Sequence, residues 1–332
     1  MGNNYYRAPT FSSLSDLGFA FGNPAEQAPS MILTSFLLHQ TRSISRSLVI
    51  LSSRPLFNLS SRHFSLSRPT MSPIVKRVTD IVKSSVDNRQ YRGLELSNGL
   101  RCLLVSDAEA DRSAASMDVN VGHLYDPREI PGVAHFCEHM LFLGTEKYPE
   151  ENEYNKYLTA NAGHSNAYTS SCNTNYHFEV KPDVLEGALD RFVQFFLTPK
   201  FTESATDREV HAVDSEHLNN VTTDAWRLTQ IERFLSKEGH DYSKFGTGNK
   251  KTLADDARAR GLEPRDALLK FHNDYYSSNI MRLCVVGKES LDELEEMVCK
   301  LGFADIVNKS VTPRVWEQAY GPEECERVIE VR

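Results

Sequence analysis

The spacing of apolar and polar positions changes several times between residues 91 and 311, and each change predicts an element. Arg101–Ser106 and Ala114–Val121 are apolar-rich and close to alternating, which predicts two strands. Over residues 131–143, Val133, Ala134, Phe136, Met140, Leu141 and Leu143 give a helix a largely apolar surround, so it is expected to be buried. Pro131 stands just ahead of that helix, where a first-turn proline is tolerated. Glu150 to Ala162 reads as a second helix after Pro149, stopped at Gly163. Ser165–Ser170 and Asn175–Val180 are candidate strands joined by the polar turn Ser171-Cys172-Asn173-Thr174. Asp183 to Leu197 is amphipathic, with Leu185, Leu189, Phe192, Val193 and Phe196 on one stripe.

Arg208 to His217 contains no Gly or Pro and reads as helix, with Val210 and Val213 at helical spacing; another helix is expected over Ala225–Lys237. Asn279–Gly287 reads as a buried strand, and Ser290-Leu291-Asp292-Glu293 is a capping box opening a helix that ends near Gly302. Strands and helices mix without strict βα alternation. The expected fold class is α+β, with helices packed on a mainly antiparallel sheet.

Three regions are expected. Residues 1–72 form a segment resembling a transit peptide, 73–311 the folded domain, and 312–332 a linker with the start of a second, truncated domain. Residues 31–70 contain no acidic residue and are rich in Ser, Leu and Arg, the composition of a mitochondrial presequence. Met31 and Met71 offer alternative starts, so the expected location is mitochondrial, cytosolic or both. Thr312–Glu324 is polar and reads as linker, and Arg327-Val328-Ile329-Glu330-Val331 as a lone strand.

Composition narrows the function. Residues 1–72 carry six arginines against Asp16 and Glu26, so the net −8 of the chain leaves −12 on the rest. An acidic body speaks against nucleic-acid binding. The apolar runs around Phe36-Leu37-Leu38 and Leu48–Leu51 are too short to span a bilayer. Six scattered cysteines without C-x-x-C spacing argue against a disulfide framework and against a thiolate metal site. Cys137 is expected to be a partly buried thiol whose alkylation blocks the neighbouring site.

The chemistry concentrates in His135-Phe136-Cys137-Glu138-His139. On a helix, two imidazoles four apart and the carboxylate before the second project from one face. Zn²⁺ accepts neutral imidazoles and in catalytic sites keeps one position open for water, beside which Glu138 would act as general base. A third ligand is needed. Glu209 and Glu216, seven apart on the downstream helix, share a face, so Glu216 could ligate while Glu209 supports the site. Spacing alone leaves Asp214 and His217 open as well.

Further blocks extend the pattern beyond the H-x-x-E-H signature of the inverzincins. They are His135 to Thr145, Ser165-Asn166-Ala167-Tyr168-Thr169-Ser170, Glu209-Val210, Ala212 to His217, Asp224-Ala225-Trp226-Arg227-Leu228 and Ser243 to Lys250. In that order, residues 91–300 resemble the first domain of the insulin-degrading branch of the pitrilysin (M16) family. The resemblance implies an M16 metallohydrolase fold (LuxS/MPP-like) and one zinc per chain, held by His135, His139 and Glu216. Glu138 would be the catalytic base and Glu209 its supporting carboxylate. Peptide substrate would add as a strand along Asn166 and Ala167, with Phe142, Tyr168 and Trp226 lining the pocket for the residue after the scissile bond. Where relatives carry another aromatic three residues past that tryptophan, this chain has Thr229. The glycine-rich Phe245 to Lys250 lacks Walker spacing and reads as a turn.

The expected activity is peptide-bond hydrolysis in small peptides by a zinc-bound water. Members of this branch are about three times longer, and their second half closes a chamber and supplies transition-state contacts. The chain is therefore expected to associate with such a C-terminal half or to homodimerise. Missing oxyanion donors cost about 10²–10³ in kcat each, so weak activity is expected from the chain alone. Two further readings are a short form that binds zinc and peptide, and a subunit of a mitochondrial processing peptidase, which the blocks at 214–219 and 243–250 fit less well.

Overall fold

The computed structural model describes residues 72–325. The presequence-like segment 31–70, Met71 and the strand expected at 327–331 lie outside the described residues.

Seven strands form one sheet: β1 (Ile74–Val78), β2 (Gln90–Leu96), β3 (Arg101–Ser106), β4 (Ser113–Val119), β5 (His164–Thr169), β6 (Thr174–Val180) and β7 (Met281–Gly287). Their order is β1-β2-β3-β7-β4-β6-β5. Only the β3–β7 pair is parallel, so the expected mainly antiparallel α+β architecture is the one observed. Although last in sequence, β7 lies between β3 and β4. Eight α-helices accompany the sheet among the described residues: α1 (Val133–Leu141), α2 (Glu153–Ala160), α3 (Leu185–Leu197), α4 (Glu203–Asn220), α5 (Asp224–Phe234), α6 (Asp256–Ala259), α7 (Pro264–Tyr275) and α8 (Leu291–Lys300). None is long and apolar enough to cross a membrane.

Strand alternation separates the two faces of the sheet. Ala115, Met117 and Val119 of β4, Tyr176 and Phe178 of β6, and Leu283 and Val285 of β7 are buried on one face. There they share a core with Phe136 and Met140 of α1, Leu189 and Phe192 of α3, and Leu294 and Val298 of α8. Ser116, Asp118, Asn175, His177 and Arg282 are cross-strand neighbours on the other face. The helix α8 begins with the expected capping box, Ser290 and Glu293 bonding each other's backbone amides.

Beyond the elements expected from the sequence, the structure adds β1, β2 and α7. In β1 the solvent-facing Lys76 and Arg77 interrupt the apolar pattern, a composition suited to a sheet edge. Arg92 of β2 lies among apolar residues because its guanidinium pairs with Asp292 and Glu295 of α8. For α7 the signal is present: Pro264 in the first turn, with Leu268 and Phe271 buried. This helix packs directly against α1.

The run expected as a linker has no helix or strand up to residue 325, but it is pinned to the domain. The Trp316 indole N–H donates to Asp241 Oδ2 at 3.0 Å, and its ring meets Tyr125 edge-on at 5.0 Å. The Arg314 amide donates to the Tyr125 hydroxyl, and the Lys237 amide to the Ala319 carbonyl. This ring contact and these bonds turn a sequence without periodicity into a fixed strap.

Candidate active site

Helix α1 is shorter than the expected 131–143 because Gly132, at its N-terminus, adopts φ 97°, a left-handed conformation suited to glycine. A Cβ there would stand 2.2 Å from the Cα of Gly248, so the glycine-rich turn rests directly on the start of the helix. Asp126 holds that start from outside it. Its two carboxylate oxygens accept the amides of Gly132 (2.7 Å) and Ala134 (2.9 Å). Burial pushes the Asp126 carboxyl up to about 7, while those amides and Lys244 draw it back. Lys244 is itself buried and donates to the carbonyls of Leu124 and Asp126, both at 2.6 Å.

Along α1, Phe136, Cys137, Met140 and Leu141 turn into the core, and His135 and His139 face the cleft. The imidazole Nδ1 of His135 lies 2.7 Å from the Thr247 carbonyl. A carbonyl can only accept, so Nδ1 carries the proton and Nε2 presents its lone pair. His139 Nδ1 lies 3.0 Å from Glu209 Oε2, which fixes the same tautomer in the neutral ring. Both Nε2 atoms converge on Glu216 Oε2, at 3.6 Å from His135 and 3.3 Å from His139. The three donor atoms all lie within 4.8 Å of one another, a set that could hold one metal ion.

The other two candidates on α4 face elsewhere. Asp214 accepts the Lys250 amide at 2.9 Å, and the His217 ring packs against Phe245. The turn at 245–250 therefore occupies both residues while its Thr247 carbonyl orients His135. Sequence patterns miss the contributions of Thr247, Asp126 and Lys244. Thr247 acts through its backbone, and Asp126 lies six residues before the helix N-terminus, outside any local capping pattern.

The charges around His139 favour a cation. Burial by itself lowers its pKa, but the hydrogen bonds it donates to Glu209 and Glu216 and the nearby Glu138 raise it to about 9. Glu216 is correspondingly lowered by its bond to His139. Glu138 is 7% exposed and raised by burial, against the pull of His135 and the hydrogen bond from Thr169. The Thr169 hydroxyl donates to Glu138 Oε2 at 2.5 Å.

The expected aromatic pocket is not assembled as read from the sequence. Trp226 is 49% exposed and lines a cavity of about 320 Å³ with Val221, Thr229, Phe245 and Thr247. Phe142 instead joins the core aromatics, 5.2 Å from Phe195 and 6.1 Å from Tyr176, and borders a different cavity with Tyr148 and Tyr154. Tyr168 and Asn166 are cross-strand neighbours of Asn175 and His177, which places them on the sheet face opposite Glu138. Ala167 and Thr169 take the face toward α1. Cys137 is also corrected. It is fully buried, its thiol is pushed up to about 12 by desolvation, and a reagent in solvent does not reach it.

Comparison with known proteins decides what this arrangement belongs to. Residues 101–239 match the family described as Insulinase (Peptidase family M16), and residues 264–331 match the Peptidase M16 inactive domain. A putative zinc protease of Caenorhabditis elegans is 59% identical over 257 residues, covering 77% of this chain and 30% of its own. Insulin-degrading enzyme of Mus musculus is 57% identical over 244 residues, covering 73% of this chain and 24% of its own. The chain belongs to the M16 insulinase family. Its fold agrees with that of a solved M16 protease. Pitrilysin superposes with a TM-score of 0.71 at 34% identity, over 75% of this chain and 26% of that one. The chain thus spans about a quarter to a third of the length of these M16 relatives. The stretch matched to the inactive M16 domain includes β7, which lies between β3 and β4 in the sheet that α1 packs against.

Proposed function

We propose that this M16 domain is a zinc metalloendopeptidase of the insulin-degrading type that hydrolyses peptide bonds in small, extended peptides. The observation that carries the reading is the shared tautomer of two histidines. Both Nδ1 protons are engaged, by Thr247 and Glu209, so in the neutral rings, the form a metal takes, both Nε2 lone pairs point at the space beside Glu216. Imidazoles fixed by such outer partners, joined by one carboxylate, are the donor chemistry of catalytic zinc sites. Bound there, zinc would supply a Lewis acid that polarises a carbonyl and acidifies water.

His135, His139 and Glu216 hold the metal in this reading, and Glu209 keeps His139 oriented. Glu138 takes a proton from the attacking water and returns it to the leaving amine nitrogen. Its burial, which raises the carboxyl, suits a group that must first accept and then release a proton. Substrate seats on β5, the last strand of the sheet, whose outer edge has no strand neighbour among the described residues. Backbone bonds along Asn166 and Ala167 give affinity that tolerates many sequences. The cavity at Trp226 and Thr229 receives a side chain of the peptide.

The test combines metal analysis with turnover of a short fluorogenic peptide by wild type and Glu138→Gln. The variant should keep its zinc and lose at least ~10² in turnover. Because the chain spans only part of its relatives, the assay is repeated with a separately supplied C-terminal half of one of them. Wild type and variant equally inert in both formats would overturn the hydrolase reading and leave a zinc- and peptide-binding module.

A further inference from the structure

Thr169 is the last residue of β5 and pairs across the hairpin with Thr174. The Thr174 hydroxyl proton is committed to the Val121 carbonyl at 2.8 Å. Thr169 Oγ1 lies 3.5 Å from Thr174 Oγ1 but 2.5 Å from Glu138 Oε2, so its own proton goes to the carboxylate. Among the described residues this is the hydrogen bond that Glu138 receives, and the carboxylate is otherwise nearly shut off from solvent. A glutamate χ3 torsion is broad and roughly two-fold, so without a donor the two oxygens exchange freely. One bond breaks that symmetry. Oε2 is held against β5, and Oε1 is left for the cleft.

We infer that Thr169 is a positioning residue for Glu138, orienting its carboxylate and tying it to the strand on which a peptide seats. This inference rests on the proposed hydrolase reading for its catalytic consequence, though not for its geometry. Alternation along β5 makes the link direct. Asn166 and Tyr168 turn away from α1, while Thr169 turns toward it on the same six-residue strand. A peptide that pairs with the free edge of β5 therefore bonds to the backbone that carries the donor to the base. Register on the edge and orientation of the carboxylate are set by one element. Nothing in the local sequence marks this threonine apart from its neighbours Ser165 and Ser170.

The variant Thr169→Val removes the donor and keeps the branched shape. Its kcat on a fluorogenic peptide should fall roughly 10-fold or more, the loss of one hydrogen bond to a charged group. KM and zinc content should stay at wild-type values, and Thr169→Ser should restore kcat. A side chain that served packing alone would not be rescued by serine, which lacks the methyl. Independently of activity, a crystal structure of zinc-free Thr169→Val should show the Glu138 carboxylate turned from its wild-type position. An unmoved carboxylate with wild-type kcat would overturn the inference. If wild type turns over, Glu138→Gln does not and Thr169→Val matches wild type, this inference falls and the hydrolase reading stands. If wild type shows no turnover while the carboxylate moves in Thr169→Val, the positioning role stands and the hydrolase reading falls.

Discussion

His139 Nδ1 and Glu209 Oε2 lie 3.0 Å apart, although seventy positions separate the two residues. The bond joins α1 to α4 and sets which nitrogen of His139 is free for a metal. Replacing Glu209 with Gln keeps an acceptor for the Nδ1 proton but removes the negative charge behind the ring. Zinc affinity should weaken by about 10–100-fold without being lost. Competition against a fluorescent zinc chelator measures this, and wild-type affinity in Glu209→Gln would remove Glu209 from the support of the site.

Glu216 Oε2 faces the Nε2 atoms of both histidines, so Glu216→Gln should abolish binding of the one zinc per chain that the proposed function requires. Elemental analysis of the purified proteins decides it. Full zinc occupancy in the variant would move the third ligand elsewhere, with Glu209 the first residue to test.

Asp126 accepts two backbone amides at the start of α1. An asparagine can accept one but presents an NH₂ group to the other, leaving a buried donor facing a donor. Asp126→Asn should cost about 1–3 kcal/mol in urea unfolding. Because the same helix carries His135 and His139, its zinc affinity should drop too. An unchanged unfolding midpoint would show that the helix start is held by the Gly132–Gly248 contact alone.

His123 is 3% exposed, and burial lowers its pKa to about 3, with Arg233, Lys244 and His135 adding repulsion. The unfolded chain takes up this proton below about pH 6.5, and the folded one does not until near 3. Stability from this residue is therefore complete above pH 6.5 and falls as pH drops, by about 1.4 kcal/mol per unit. Between pH 7 and 5 in EDTA, His123→Phe should lose about 2 kcal/mol less than wild type, whatever offset the substitution itself introduces. Equal losses would mean that the folded protein protonates His123 in place.

No residue of α5 is buried; the strap at 312–325 holds it by the Tyr320 hydroxyl bonded to the Glu232 carbonyl, and holds the turn after it by Trp316 on Asp241. Trp316→Ala should raise amide exchange over residues 224–242 and leave α1 protected, since α1 is anchored in the core. Unchanged exchange in α5 would show that the strap does not anchor it.

The amphipathic α3, the alternating β3 and β4 and the capped α8 follow from the sequence alone, because each rests on a periodic apolar face or a local cap. The same holds for the clustering of His135, Glu138 and His139, which needs only a helix. Choosing Glu216 over Asp214 and His217 needs the tertiary fold, since on α4 all three are within reach of the site until the turn at 245–250 occupies the other two. The positions of Phe142 and Tyr168 were likewise decided in three dimensions. A half-buried aromatic satisfies a core and a pocket equally in one dimension, and the side taken by Tyr168 depends on the β5–β6 register. Asp126, Thr169 and Thr247 are legible only in the folded chain. Each acts by a single hydrogen bond or pair of bonds outside any helical or strand spacing, and such bonds leave no period in the sequence.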